Sequence, residues 1–181
     1  MGKYQSFDPK AEVIGQSMLG FIQCLRKEEI TPYLKKHSLT DIKPGEWYSQ
    51  QTWLDVLSDL SEEKAGGAMF DFVAIGMKVS ELSNFPPEFS LMPFEDTMSH
   101  IDQAYQSFHR GDAGDTFVEI VGTNHLTHNL RVPYPDDFMY GSVYGLARRY
   151  LAGKHFTVYY DQDKPRREHG GDYTIIHVTW E

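Results

Sequence analysis

The segment from Pro133 to Trp180 constrains the fold more than any other part of the chain. Pro135-Asp136-Asp137 has the chemistry of a helix start, because acidic side chains suit the positive end of the helix dipole. Phe138, Met139, Ser142, Val143, Leu146, Ala147, Tyr150 and Leu151 then recur at helical spacing and form one mostly apolar face. Gly141 and Gly145 lie one turn apart on that helix. Glycine lowers helix propensity, so the pair predicts a second backbone packed close against it. Ala152-Gly153 closes the helix, with Gly153 as a left-handed cap. Beyond it Phe156, Val158 and Tyr160 alternate with polar neighbours, and Ile176, Val178 and Trp180 do the same after a Gly170-Gly171 turn. Both runs predict strands.

The motif Gly-x-x-x-Gly-Leu-Ala-x-x-Tyr over 141–150, followed by a strand, resembles a family of small-ligand sensor domains. That family groups haem-based nitric oxide and oxygen sensors, 4-vinyl-reductase-like domains and the tethering subunits of Golgi transport particles. The motif covers the last third of the chain. The rest agrees in length and element order. The resemblance implies a ligand-binding or sensory domain, and relatives of this fold often pair through N-terminal helices.

The preceding sequence reads mainly as helices. Residues 1–8 read as a flexible tail. Val13, Ile14, Met18, Phe21, Ile22 and Leu25 make an amphipathic stripe between Pro9 and Glu29. A short helix over Ile30–Lys36 follows, then one carrying Trp53, Val56, Leu57 and Leu60. The most apolar helix candidate is Gly66–Leu82, whose apolar residues wrap most of its surface and imply burial on several sides. Phe94, Met98, Ile101, Tyr105 and Phe108 stripe another helix that ends near His109. The period then changes to two: Phe117–Val121 and His125–Val132 predict strands joined at Gly122-Thr123-Asn124. Helices first and antiparallel strands later predict an α+β fold, with N-terminal helices on a C-terminal antiparallel sheet and one inserted helix. Residues 1–181 read as a single domain.

Charge and composition narrow the function. A formal net charge of −9 argues against nucleic acid or an anionic membrane as partner. No run approaches the roughly 20 apolar residues of a membrane span, and no signal peptide is visible, so the sequence predicts a cytoplasmic protein. A single cysteine, Cys24, excludes an intramolecular disulfide. Eleven Tyr and eleven Phe suit either a dense aromatic core or an aromatic-lined cavity.

Catalytic signatures are missing. There is no Gly-x-Ser-x-Gly, no phosphate loop and no dinucleotide fingerprint, so no residue is assigned a catalytic role and an enzyme ranks last. His125-Leu126-Thr127-His128 is an H-x-x-H on a strand, which places the two rings on opposite faces. His125, His155 and His177 on polar strand faces could form a three-imidazole metal site only if the strands align; solvated sheet histidines are the simpler reading. No metal site is assigned.

The resemblance raises haem, which sensor relatives hold through a histidine on the helix before the first strand and a Tyr-x-Ser-x-Arg clamp. Here that helix offers His100 and His109, whereas the strand region has Val121, Thr123 and His125 where the clamp should stand. Arginine is not casually replaced at a bidentate anion site, so the sequence argues against haem and leaves the cofactor open.

The expected function is therefore non-catalytic. A small apolar or aromatic ligand would sit among Met69, Phe72, Val73, Phe94, Met98, Ile101 and Tyr105, and binding would signal to a partner. The alternatives are a tethering module that dimerises without a ligand and a haem-based gas sensor. The N-terminal stripe, with Phe21 near its centre, predicts a homodimer.

Overall fold

The computed structural model describes residues 2–62 and 71–181. Two antiparallel sheets and seven α-helices are present among them. The fold is α+β.

The main sheet has four strands: β4 (Asp115–Gly122), β5 (His125–Arg131), β6 (Phe156–Tyr160) and β7 (Thr174–Trp180). Their spatial order is β4-β5-β7-β6, every pair antiparallel. The alternation read from the sequence sets the two faces. Leu126, His128 and Leu130 of β5, Ile176, Val178 and Trp180 of β7 and Val158 of β6 are buried on the inner face. Thr127, His177, Thr179 and Tyr159 share the outer face.

All the helices that cover this sheet lie on its inner face. Helix α7 (Asp136–Tyr150) covers the β6–β7 half, with Tyr140 ring to ring with Tyr160 at 4.8 Å and Tyr144 with Phe156 at 5.3 Å. Helices α5 (Phe94–Ser99) and α6 (Ile101–Ser107) cover the β4–β5 half. The sequence predicts one continuous helix here. It breaks at His100, which ends α5 and starts α6 with φ −93° and ψ −3°.

Against α7 lies α4 (Phe72–Leu82), packed so closely that glycines are required. A β-carbon on Gly141 would stand 2.1 Å from the Val73 carbonyl oxygen. One on Gly76 would stand 2.2 Å from the carbonyl oxygen of Phe138. One on Gly145 would reach the Met77 carbonyl oxygen at 2.7 Å. This is the close backbone approach that the glycine spacing predicts. The Ser80 hydroxyl donates to the Ser142 carbonyl at 2.9 Å across the same contact. Asp71 caps α4 by accepting from the Ala74 amide. The predicted helix start at Gly66, and Met69 with it, lies outside the described residues.

The N-terminal third departs from the sequence reading. Residues expected to begin a helix form β1 (Glu12–Ile14), which pairs with β2 (Trp47–Ser49) and with β3 (His109–Arg110) in a second, three-stranded sheet. Strands of two and three residues are too short to show a period, and the apolar Val13-Ile14 pair merges with the helical stripe that follows. Helices α1 (Gly15–Ile22), α2 (Lys27–Lys36) and α3 (Gln50–Glu62) complete this part. The segment expected as a flexible tail is tied to α3: the Tyr4 amide donates to Ser58 Oγ at 3.0 Å and the Tyr4 side chain is buried.

Phe21, expected near a dimer contact, is instead part of the core. Phe21 is 3% exposed and packs against Trp53, Phe72 and Phe138 at ring separations of 5.4, 6.3 and 5.4 Å. Met18 and Val13 are buried beside it. Phe21→Asp is therefore expected to unfold the chain, because it would bury an unpaired carboxylate at a cost of about 4 kcal/mol or more. A folded variant with an unshifted urea midpoint would contradict this burial.

Candidate ligand site between the helices and the sheet

Strand β5 owes its inward face to strict alternation, and alternation alone carries His128 to the interior between Leu126 and Leu130. Its cross-strand neighbours on that face are Val118 of β4 and Ile176 of β7. The imidazole is 1% exposed, and neither Nδ1 nor Nε2 has a hydrogen-bond partner among the described residues. The Oγ1 of Thr116, also buried on the inner face and opposite Leu130, shares that condition. Buried polar atoms without partners cost about 1–3 kcal/mol each, so such groups usually meet a water or a ligand.

Burial pushes the pKa of His128 down to about 4, against the opposing pull of the Asp102 carboxylate. The ring is therefore neutral at pH 7, with one N–H to donate and one lone pair to accept. Helix α6 supplies the roof. Asp102 accepts from the Thr116 amide at 2.9 Å, Gln106 Nε2 donates to the Gly114 carbonyl at 2.9 Å, and the Tyr105 hydroxyl donates to the Ala113 carbonyl at 2.6 Å. These bonds stitch α6 to the start of β4.

The residues expected to line a pocket occupy two regions. Phe94 and Met98 are buried in the layer above the sheet, with the Phe94 ring edge-on to Trp180 at 5.3 Å. Ile101 and Tyr105 continue that layer, half-buried. Phe72 and Val73 belong to α4, where Phe72 meets Phe21 and the Val73 backbone abuts Gly141. Met69 lies outside the described residues.

Of the two helix histidines, His100 is exposed at the α5–α6 break and its Nδ1–H donates to the Asp96 carbonyl at 2.8 Å. His109 is not at a helix end, where its charge would oppose the dipole. It sits in β3, buried and stacked on Tyr105 at 4.2 Å. Its Nδ1–H donates to the Tyr105 carbonyl at 2.7 Å, so Nε2 accepts from the Tyr134 hydroxyl at 2.6 Å. Burial lowers its pKa. The three positions compared with the clamp do not line one strand. Val121, Thr123 and His125 bracket the β4–β5 hairpin turn, where Asn124 adopts φ 54°.

Solved structures with the same architecture were found at low sequence identity. A single-residue variant of the Tt H-NOX superposes with a TM-score of 0.66 at 14% identity, covering 93% of this chain and 95% of that one. An oxygen-binding H-NOX domain related to soluble guanylate cyclases, in its oxygen complex, gives 0.64 at 12% identity with 92% of each chain covered. An H-NOX protein from S. oneidensis in the Fe(II) ligation state gives 0.65 at 12% identity, covering 93% and 96%. The chain has the fold of the H-NOX domains. The resemblance confined to the last third of the sequence thus extends in space over nearly the whole chain. Compared with family models and with curated protein sequences, the chain matches none.

Two such structures concern heme in the H-NOX family, and the two helix histidines weighed as its ligand in this chain are not arranged to hold it. His100 is exposed, with its ring 5.7 Å from that of Phe89, and His109 has both nitrogens engaged. His128 keeps a free lone pair among the described residues, and Asp102, Tyr105 and Gln106 tie α6 to the segment 113–116 that leads into β4.

Sequence reasoning placed His128 opposite in face to His125 and went no further. The signal for more was present, since Leu126-x-His128-x-Leu130 sets an imidazole in an apolar row. Thr116 left no signal of its own, because its isolation depends on which side chains α6 brings across.

Proposed function

We propose that this domain is a non-catalytic sensor that binds a small molecule between α5–α6 and the inner face of β4–β5. The observation that carries this reading is the sealed His128 imidazole, neither of whose nitrogens has a partner among the described residues. The ligand is a small apolar or aromatic molecule with one hydrogen-bonding group. That group would meet His128 and Thr116, and its apolar part would lie against the Met98 side of the helix layer. Binding would favour one seating of α6 over another and so bias a surface that a partner reads.

The test is a thermal-shift and NMR screen with phenol, indole and short-chain alcohols on the full chain. At least one is expected to raise the melting temperature and move the His128 ring signals, and both responses should vanish in His128→Leu. A screen with no response, or one that survives this substitution, would overturn the proposal. Hemin is expected to give no sharp Soret band at one equivalent. A band that is lost in His100→Ala, His109→Ala or His128→Ala would restore the haem reading.

A further inference from the structure

On the outer face of the sheet, away from the proposed ligand site, two imidazoles meet. His125 of β5 and His177 of β7 lie diagonally across the strand pair, since Thr127 is the residue opposite His177. His125 Nε2 and His177 Nδ1 are 2.9 Å apart. His177 Nε2 lies 3.0 Å from Asp161 Oδ2. A carboxylate only accepts, so His177 carries its proton on Nε2, and the hydrogen bond holds the Asp161 carboxyl below its usual range. The Nδ1 lone pair of His177 then faces His125. Tyr159 stacks flat on His177, with ring centres 4.8 Å apart and planes 4° apart, which fixes the ring.

We propose that His125 and His177 form a two-imidazole site for a divalent transition-metal ion, of the copper(II) or nickel(II) kind. Two features point to it. Metal–imidazole bonds of about 2.05 Å at a right angle place two nitrogens about 2.9 Å apart, the separation of cis ligands in a tetragonal site. A tetrahedral ion would need about 3.3 Å, so copper or nickel fits better than zinc. The carboxylate is placed as metal-binding histidines require, on the nitrogen away from the ion, where it fixes the tautomer and the ring.

Among the described residues no group of three or more His, Cys, Asp and Glu side chains is arranged to hold a metal ion, so water fills the remaining positions. His155, the third imidazole weighed for such a site, is exposed. On binding, the proton of His125 moves from Nε2 to Nδ1 through solvent. Both rings stay neutral and no net proton is released.

The experiment is calorimetric titration of the full chain with copper(II) and nickel(II) chloride in a non-chelating buffer at pH 7.5. One saturable equivalent is expected. It should be lost in His125→Ala and in His177→Ala, and weakened about 10- to 100-fold in Asp161→Asn. Should a variant fail to fold, wild-type NMR decides: substoichiometric copper should broaden the His125 and His177 ring signals before those of His100 and His155. The site is overturned if folded His125→Ala and His177→Ala proteins still take up the same equivalent, or if surface histidines broaden first.

Discussion

Mild acid is expected to destabilise this protein through His128. In the unfolded chain the ring titrates near 6.5, whereas burial in the fold pushes it down to about 4. Above pH 6.5 both states are neutral and the residue contributes no pH dependence. Between 6.5 and 4 the unfolded chain binds a proton that the folded protein refuses, so stability falls as the pH falls. The slope approaches about 1.4 kcal/mol per pH unit, and the total loss by pH 4 is about 3 kcal/mol. His109, shifted in the same direction by burial, deepens the fall. Urea unfolding at pH 7.5 and 4.5, in wild type and in His128→Leu, checks this. The variant should lose much less stability between the two conditions. It should also be more stable than wild type at pH 7.5 without ligand, by about 1–3 kcal/mol, because it removes a buried polar ring that lacks partners. Equal acid sensitivity in the two proteins would show that His128 is not sealed.

The second large effect concerns the α4–α7 contact. Helix propensity alone says that Gly141→Ala stabilises a helix by about 1 kcal/mol. Packing says the reverse, because the new methyl would stand 2.1 Å from the Val73 carbonyl oxygen and 2.8 Å from its carbon. Backbone cannot swing aside like a side-chain tip, so the helices must separate. A net loss of about 1–3 kcal/mol or more is expected. Gly145→Leu should also destabilise, since even its first side-chain carbon would meet Met77 and Ser80 within 3.0 Å. Gly20 of α1 supplies the contrast: a β-carbon there meets nothing within 4 Å, so Gly20→Ala should follow propensity and stabilise. Melting temperatures of the three variants separate the two effects. A Gly141→Ala protein as stable as Gly20→Ala would mean that α4 and α7 are not in backbone contact.

The legible parts of the chain are those whose contacts are local or periodic. The helix over Asp136–Tyr150, its close-packed glycines and the four strands of the main sheet all follow from spacing. The α+β class follows from their order. What spacing could not carry was set by distant partners. Val13 joins a strand because Tyr48 and His109, both far later in the sequence, lie on either side of it. Phe21 looks like an open apolar face until Trp53, Phe72 and Phe138 close over it. His109 reads as a helix end until Tyr134 arrives to bond it. His128 shows the same limit at the site. Its direction was readable from alternation, but its lack of partners depends on what α6 leaves unfilled.

The order β4-β5-β7-β6 has a consequence for synthesis on the ribosome. The last strand made is an interior one, bonded to β5 on one side and β6 on the other. Until β7 leaves the exit tunnel, β5 and β6 each present a bare hydrogen-bonding edge, and the nascent chain cannot complete its sheet. The sheet can therefore close only after β7 has emerged. A ribosome stalled before Thr174 would hold helices that cannot settle on a finished floor, a species prone to capture by chaperones or to pairing with strands of other chains.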